Sequence, residues 1–165
     1  MGQPDRADEF AAFYEATKTP VFRAVLLARA GERHAAEDAV AEAYEKAFLR
    51  WDKLVDHPNP TAWVIRTAIN QRISTWRRGR RPPTDTPRAS STDDTGLDPA
   101  LIELVRQLPK GQREVLALRV LLDFSTEQTA EALGVKQGTV KKQLHRALRT
   151  LRLHLTTHQA EEAWL

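Results

Sequence analysis

The chain has 165 residues and no cysteine, which excludes disulfide bonds and any metal site built from thiolates. No apolar run approaches the length needed to cross a bilayer. The N-terminus lacks a basic stretch followed by an apolar one, so we expect no signal peptide. These absences predict a cytoplasmic protein with no membrane insertion, long enough for one ordinary domain or two small ones.

Side chains arranged for catalysis or metal binding are also scarce. His154 and His158 stand four residues apart, with Glu161 and Glu162 just beyond them. That spacing can bind a metal on a helix, but the glutamate of an H-E-x-x-H motif is missing, so a solvated tail is the favoured interpretation. No glycine-rich loop suits a phosphate. We therefore expect no enzymatic activity, no metal and no cofactor.

Charge is unevenly distributed along the sequence, although the net charge is only +3. Between Arg66 and Arg88 there are seven arginines and a single acid, Asp85. An acidic cluster lies upstream, formed by Glu32, Glu37, Asp38, Glu42 and Glu45. This asymmetry predicts two surfaces with different partners, one of them polyanionic and the other basic.

Apolar spacing predicts helices throughout and no strand. In a first helical domain, residues 5–80, we expect a first helix that kinks or restarts at Pro20. A second helix is expected over about residues 34–51. A loop at residues 56–60 then leads to a third helix over about residues 61–78.

The composition changes to Pro, Ser, Thr and Asp over residues 81–99, which predicts a flexible linker because too little apolar surface is available to offset chain entropy. Residues 100–155 are predicted to form a second domain of four helices, and residues 156–165 are predicted to form a helical tail. The fold class is therefore all-α, with two small helical domains joined by a linker and a helix-turn-helix in the second.

The helix-turn-helix is predicted over residues 121–146. Ser125 and Gln128 have the spacing of a capping box, and Gly134 can adopt the positive φ that ends a helix. Val135 and Val140 are expected to bury the turn, while the second helix keeps polar and cationic residues. A basic second helix is typical of one that enters a DNA groove. The alternative is a helical hairpin used for protein contact.

Four segments, in this order, resemble the extracytoplasmic-function sigma factors, the smallest group of the housekeeping sigma family of bacterial transcription initiation. The resemblance extends from about Phe10 to Leu153, and its strongest parts are AEDAV at 36–40, AWVIRTAIN at 62–70, LP with QREVL at 108–116, and GTVK with RAL at 138–148. It implies that residues 5–80 are sigma region 2 and residues 100–155 are sigma region 4.

The resemblance implies core RNA polymerase as a partner, through the β′ clamp helices for the acidic helix and the β flap for the second domain. At the matching positions of this sequence, the resemblance implies Asp38 and Glu42 as the charged contacts, with Val40 and Phe48 at the edge of the surface. Carboxylates on an exposed helix suit a basic partner. The alternative for these residues alone is an ordinary solvated helix face.

In the family, the loop over residues 52–60 captures a base flipped from the −10 element, and the helix after it lines the melted strand. Unstacking a base costs a few kcal/mol, so the contacts that the base makes in its pocket must offset that cost. Asn70 would read a base edge with its amide, and His57 and Asn59 would line the pocket or be ordinary loop residues. Arg66, Arg77 and Arg78 suit phosphates, whereas Trp63 is expected in the core.

The family places the second helix of the helix-turn-helix in the major groove of the −35 element. The residues expected to face bases or flanking phosphates are Lys136, Gln137, Thr139, Lys141, Lys142 and Gln143, with Arg146 on the DNA backbone. Each good bidentate base contact would discriminate by roughly 1–3 kcal/mol.

The sequence thus predicts a promoter-specificity subunit of RNA polymerase, with promoter DNA and an inhibitory anti-sigma factor as further partners and with both DNA sites masked in the free or inhibited factor. Two alternatives stay open. One is a stand-alone helix-turn-helix regulator that binds operator DNA as a dimer. The other is a degenerate paralogue acting as an adaptor, suggested by Ala41 and Ser74, where the family often has glutamine and aspartate.

Overall fold

The computed structural model describes residues 5–71 and 95–163, and every regular element in these two ranges is helical. The all-α prediction is confirmed. The first unit, residues 5–71, contains four helices, namely α1 (Arg6–Ala28), α2 (Arg33–Leu49), α3 (Trp51–Leu54) and α4 (Pro60–Asn70). The second unit, residues 95–163, contains α5 (Pro99–Arg106), α6 (Lys110–Leu116), a π-helical segment (Ala117–Leu121), α7 (Thr126–Leu133) and α8 (Gln137–Ala163).

Helix α1 continues through Pro20, so the predicted restart at this residue is wrong, while the alternative of a kink stays a prediction. Proline removes one backbone hydrogen bond and costs about 3 kcal/mol in a helix interior. Burying a valine or leucine side chain contributes roughly 1.5–3 kcal/mol, and Val21, Val25 and Leu27 are all buried just after the proline. Their packing outweighs the lost bond.

Aromatic side chains join α1 to α2 and α3. The ring of Phe10 lies edge-on to those of Phe48 and Trp51, at centroid distances of 5.2 and 5.3 Å. Burial raises the pKa of Tyr44 to about 12, so its hydroxyl stays protonated. The Tyr44 hydroxyl lies 2.8 Å from Thr17 Oγ1, which itself donates to the carbonyl oxygen of Phe13. Tyr44 therefore donates to Thr17 and ties α2 to α1.

Helix α4 is positioned at both of its ends. Asn59 caps the N-terminus and Pro60 occupies the first turn, where its missing N–H costs nothing. At the other end, Arg29 Nη2 donates to the carbonyl oxygens of Ala68 and Gln71. The helix ends at Asn70, because Gln71 is extended with ψ 107°. The helix predicted over residues 61–78 is therefore not continuous beyond Asn70, and residues 72–78, including the arginines at 72, 77 and 78, lie outside the described residues.

The second unit begins before the predicted end of the linker. Thr95 and Leu97 are both buried, and Arg23 Nε donates to the carbonyl oxygen of Thr95 at 2.6 Å. Two residues of the predicted linker 81–99 therefore pack into the fold, because Leu97 supplies apolar surface there. Residues 81–94 lie outside the described ranges.

One apolar core extends across both units. Helix α1 packs against α2 and α4 on one side and against α6 and the π-helical segment on the other. Helix α4 also packs against α7. Buried residues from both units, such as Leu27, Ile65 and Leu118, belong to the same cluster. A second, smaller cluster inside the helix-turn-helix consists of Val115, Ala130 and Val140, with the partly buried Leu133 and Leu144 packed against it.

Candidate polymerase and DNA surfaces

The outer face of α2 is acidic. Its inner face is buried through small residues and Tyr44, so the helix lies close to α1 and α4 while its carboxylates point outward. Glu37 and Glu42 are neutralised locally by Arg33 at 2.9 Å and Lys46 at 3.1 Å. Asp38 and Glu45 are exposed on the same face. The four carboxylates of α2 outnumber its two cations, Arg33 and Lys46, so the helix carries a net negative formal charge, in keeping with a basic partner.

Apolar side chains extend this acidic face at its C-terminal end. Phe48 is 53% exposed even though its ring packs on Phe10, and Leu49 is 76% exposed. Val40 differs from Phe48, since it is half-buried and packs against the core. Leu49 was not among the residues predicted from the sequence to contact a partner. The feature that could have identified it is an apolar side chain that does not lie on the buried face of α2.

The two predicted pocket residues before α4 bind each other and the helix. His57 Nδ1 accepts the backbone N–H of Asn59 at 3.0 Å, and Asn59 Oδ1 accepts the N–H of Ala62 at 3.0 Å. Both side chains therefore shape the loop and cap α4. These contacts match the alternative of ordinary polar loop residues; whether either side chain also meets a base stays a prediction.

Helix α4 presents Trp63, Arg66 and Asn70 on one face, at helical spacings of three and four residues. The opposite face, with Val64, Ile65 and Ala68, is completely buried. Arg66 and Asn70 are exposed, whereas Trp63 is half-buried and packs against the core. A cation and an amide thus share the outward face beside the half-buried Trp63, which suits a nucleic-acid strand by charge and hydrogen bonding.

The helix-turn-helix has the local geometry that its sequence predicts. Ser125 Oγ accepts the N–H of Gln128 at 3.0 Å, and Gln128 Oε1 accepts the N–H of Ser125 at 2.9 Å, which completes the capping box. Gly134 ends α7 with φ 67°. Val140 is fully buried, but Val135 is 39% exposed, so the prediction that both valines bury the turn is wrong for Val135.

Helix α8 has its cations on the side away from the core. Lys136, Gln137, Thr139, Lys141, Lys142 and Arg146 are all exposed. Within residues 5–71 and 95–163, no carboxylate lies within 4.0 Å of the cations at 141, 142, 146, 149 and 152. Cations elsewhere, such as Lys18 and Arg33, pair with glutamates. An unneutralised row of cations favours a polyanion, and it includes Arg149 and Arg152, which we did not single out.

Gln143 is the exception among the predicted −35 residues. Its side chain is half-buried and lies against α6, where a Cβ added at Gly111 would stand 3.1 Å from Gln143 Nε2. Gln143 therefore helps to set the approach of α8 to α6. Its predicted base contact has to compete with this packing.

The remaining sequence predictions concern metals and membranes. Among the described residues, no group of three or more metal-ligating side chains comes together. His158 Nδ1 lies 4.0 Å from a Glu161 carboxylate oxygen at the exposed end of α8. No helix in the described part of the chain is long and apolar enough to cross a membrane.

Two family models match this chain, sigma-70 region 2 at residues 13–82 and sigma-70 region 4 at residues 99–151. An RNA polymerase sigma-E factor of Streptomyces avermitilis is 36% identical over 132 residues, covering 76% of this chain and 74% of that protein. The sigma factor SigL of Mycobacterium tuberculosis is 34% identical over 136 residues, covering 76% and 77%.

A solved structure shares the fold. It is that of the sigma factor RpoE in complex with the anti-sigma factor NepR from Bartonella quintana, with a TM-score of 0.64, 24% identity, and coverage of 88% of this chain and 97% of that one. Fold, motifs and relatives agree in defining a two-part promoter-recognition subunit. The chain belongs to the extracytoplasmic-function sigma factors of the sigma-70 family.

Proposed function

We propose that this sigma factor directs core RNA polymerase to promoters by dividing the work among three separate surfaces. The outer face of α2 docks on the β′ clamp helices through Asp38 and Glu42, with Phe48 and Leu49 as apolar contacts beside them. The outward face of α4 reads and opens the −10 element through Arg66 and Asn70. The exposed face of α8 binds the −35 element.

The observation that carries this proposal is the segregation of charge between α2 and α8. The outer face of α2 is acidic with an exposed apolar end, which suits a protein partner and repels DNA. The outer face of α8 is cationic and lacks neutralising carboxylates among the described residues. The acidic and apolar surface of α2 would contribute nothing to DNA binding by a stand-alone operator-binding protein.

Two further partners are proposed because the chain belongs to this family. The second unit would contact the β flap, and an anti-sigma factor would bind this protein, as one is in complex with the structural neighbour from Bartonella quintana. Acting on polymerase places the factor in the cytoplasm. The proposal assigns no catalytic step and no cofactor to this chain.

Transcription from a randomised promoter library, with purified core polymerase and this chain, tests the proposal. We expect transcripts only when both components are present, from templates that share two short sequence elements. If no template is used while the chain binds duplex DNA tightly by itself, the operator-binding alternative is correct. Asp38→Lys with Glu42→Lys should abolish core binding, and Lys18→Ala, which removes a paired charge on α1, should leave core binding unchanged.

A further inference from the structure

Gly138, in the first turn of α8, lacks a side chain although the fold leaves room for one. Its φ lies outside the left-handed region, and a Cβ added there would meet no neighbouring element of the described chain within 4 Å. Glycine in a helix is less favourable than alanine, because it loses more backbone freedom on folding. Gly138 therefore makes α8 less stable, and no contact in the described part of the chain accounts for it.

The other glycines that the structure describes are each explained by the fold. Three of them have φ values between 67° and 81°, where a side chain is strained, namely Gly31, Gly96 and Gly134. At Gly111, an added Cβ would stand 3.1 Å from Gln143 Nε2. Gly111 and Gly138 are both the second residue of a helix, so helix position does not account for the difference between them. The explanation for Gly138 therefore lies outside the chain.

Gly138 lies at the centre of the outward face of α8. It precedes the fully buried Ala147 by nine residues, or about two and a half turns, so it is directly opposite the buried side of the helix. Lys141 and Lys142 follow it by three and four residues and are its neighbours on the outward face. Both lysines are exposed. A polyanion that binds these two cations therefore lies against the bare backbone of Gly138.

The dimensions of a helix and of the DNA groove make this position critical. A helix with its side chains is about 10–12 Å across, and the major groove is about 12 Å wide. The residue that faces the floor of the groove therefore limits how deeply the helix can enter. Glycine at such a position allows the backbone to approach its ligand closely. The exposed side chains of Gln137 and Thr139, on either side of Gly138, then come nearer to the base edges.

We infer that Gly138 is a specificity-determining residue of the −35 contact, whose missing side chain sets how deeply α8 enters the major groove. The inference rests on the proposed function, which assigns the −35 element to α8. Hydrogen bonds to bases require donor–acceptor distances of about 2.7–3.2 Å, so a displacement by one methyl group breaks them. The flexible lysines can still reach phosphates after the same displacement. A side chain at position 138 should therefore stabilise the helix and weaken its reading of sequence.

Gly138→Ala and Gly138→Leu test this combination of effects. Urea denaturation should show the folding equilibrium constant of Gly138→Ala raised about two- to fivefold. In transcription with core polymerase, the preference for a selected −35 element over a scrambled one should fall about tenfold or more, which is what one good base contact supplies. Gly138→Leu should lose more than Gly138→Ala. The −10 preference, and binding of the holoenzyme to the scrambled template, should not change.

Ala160→Leu is the matched control, because it enlarges an exposed residue of the same helix far from Gly138. It should keep the wild-type −35 preference. If Gly138→Ala also keeps that preference, or binds selected and scrambled templates equally less well, the inference is wrong. A Gly138→Ala chain less stable than the wild type would also overturn it, since the fold itself would then need the glycine.

The wild-type chain in the same assay separates this inference from the proposed function. Promoter-specific transcription by the wild type, with an unaffected Gly138→Ala variant, overturns the inference alone and leaves the proposed function intact. If the wild type with core polymerase uses no promoter, the proposed function fails and the inference fails with it.

Discussion

Asn59 caps α4 by accepting the backbone N–H of Ala62 at its side-chain oxygen, with the two atoms 3.0 Å apart. The residue that the sequence predicts to line a base pocket thus fixes where α4 begins. The rest of the cap comes from His57, whose Nδ1 accepts the N–H of Asn59. The observed capping role of Asn59 and its predicted recognition role can be separated by substitution.

Asn59→Ala should lower the free energy of unfolding by about 1 kcal/mol, since it removes an N-cap. Asn59→Asp keeps an acceptor oxygen and should retain most of that stability in urea denaturation. The aspartate variant then isolates recognition, because a carboxylate cannot donate to a base as an amide does. If the aspartate variant keeps the wild-type −10 preference, Asn59 acts only as a cap.

Asn70→Ala should impair −10 recognition while leaving binding to core polymerase intact. Its amide is exposed at the end of α4 and can make two hydrogen bonds to a base edge, so we expect a loss of discrimination of roughly 1–3 kcal/mol at one −10 position. Competition between promoters that differ at each −10 base measures this. Arg66→Ala is the matched control, and it should weaken all sequences alike. Loss of core binding by Asn70→Ala would mean that the residue is structural.

The helix-turn-helix and the acidic helix could be predicted from the sequence because their signals are local. Ser125 with Gln128 specifies a cap within one turn, and Gly134 specifies one backbone angle. The helix does not restart at Pro20, because tertiary packing of the following buried residues decides whether a helix continues. The burial of Leu97 and the hydrogen bond from Arg113 Nε to the carbonyl oxygen of Ala28, at 3.2 Å, depend on residues far apart in the chain, and no local pattern encodes them.

Lys142→Ala and Gln143→Ala should differ, although the two residues are neighbours and both were predicted to face DNA. Lys142 is exposed, so its loss should weaken −35 binding and reduce the slope of log affinity against log salt by about 0.9 if it meets a phosphate. Gln143 lies against Gly111, so its loss should lower the unfolding free energy. Salt titrations and urea denaturation of both variants separate the two effects. Equal salt slopes for wild type and Lys142→Ala would exclude a phosphate contact.

Glu114 should make the fold less stable as the pH rises. Burial raises the pKa of its carboxyl above the ordinary 4.5, against the opposing effects of Lys110, Arg113 and Arg29. The folded chain therefore binds more protons than the unfolded chain just above pH 4.5, and the contribution of this group to unfolding free energy falls as pH increases through that window. Glu114→Gln should be at least as stable as wild type at pH 7, and the two should converge at pH 4. A variant that is less stable at pH 7 would show that the contact with Lys110, at 3.7 Å, outweighs burial.

Strand opening is the central claim of this account, and permanganate reactivity of thymines in the −10 element measures it most directly. On a promoter selected from the random library, we predict reactive thymines only when core polymerase and this chain are both present, with the reactivity lowered in Asn70→Ala. If the chain binds core polymerase normally but no promoter shows reactivity, the account is contradicted and the adaptor alternative is correct.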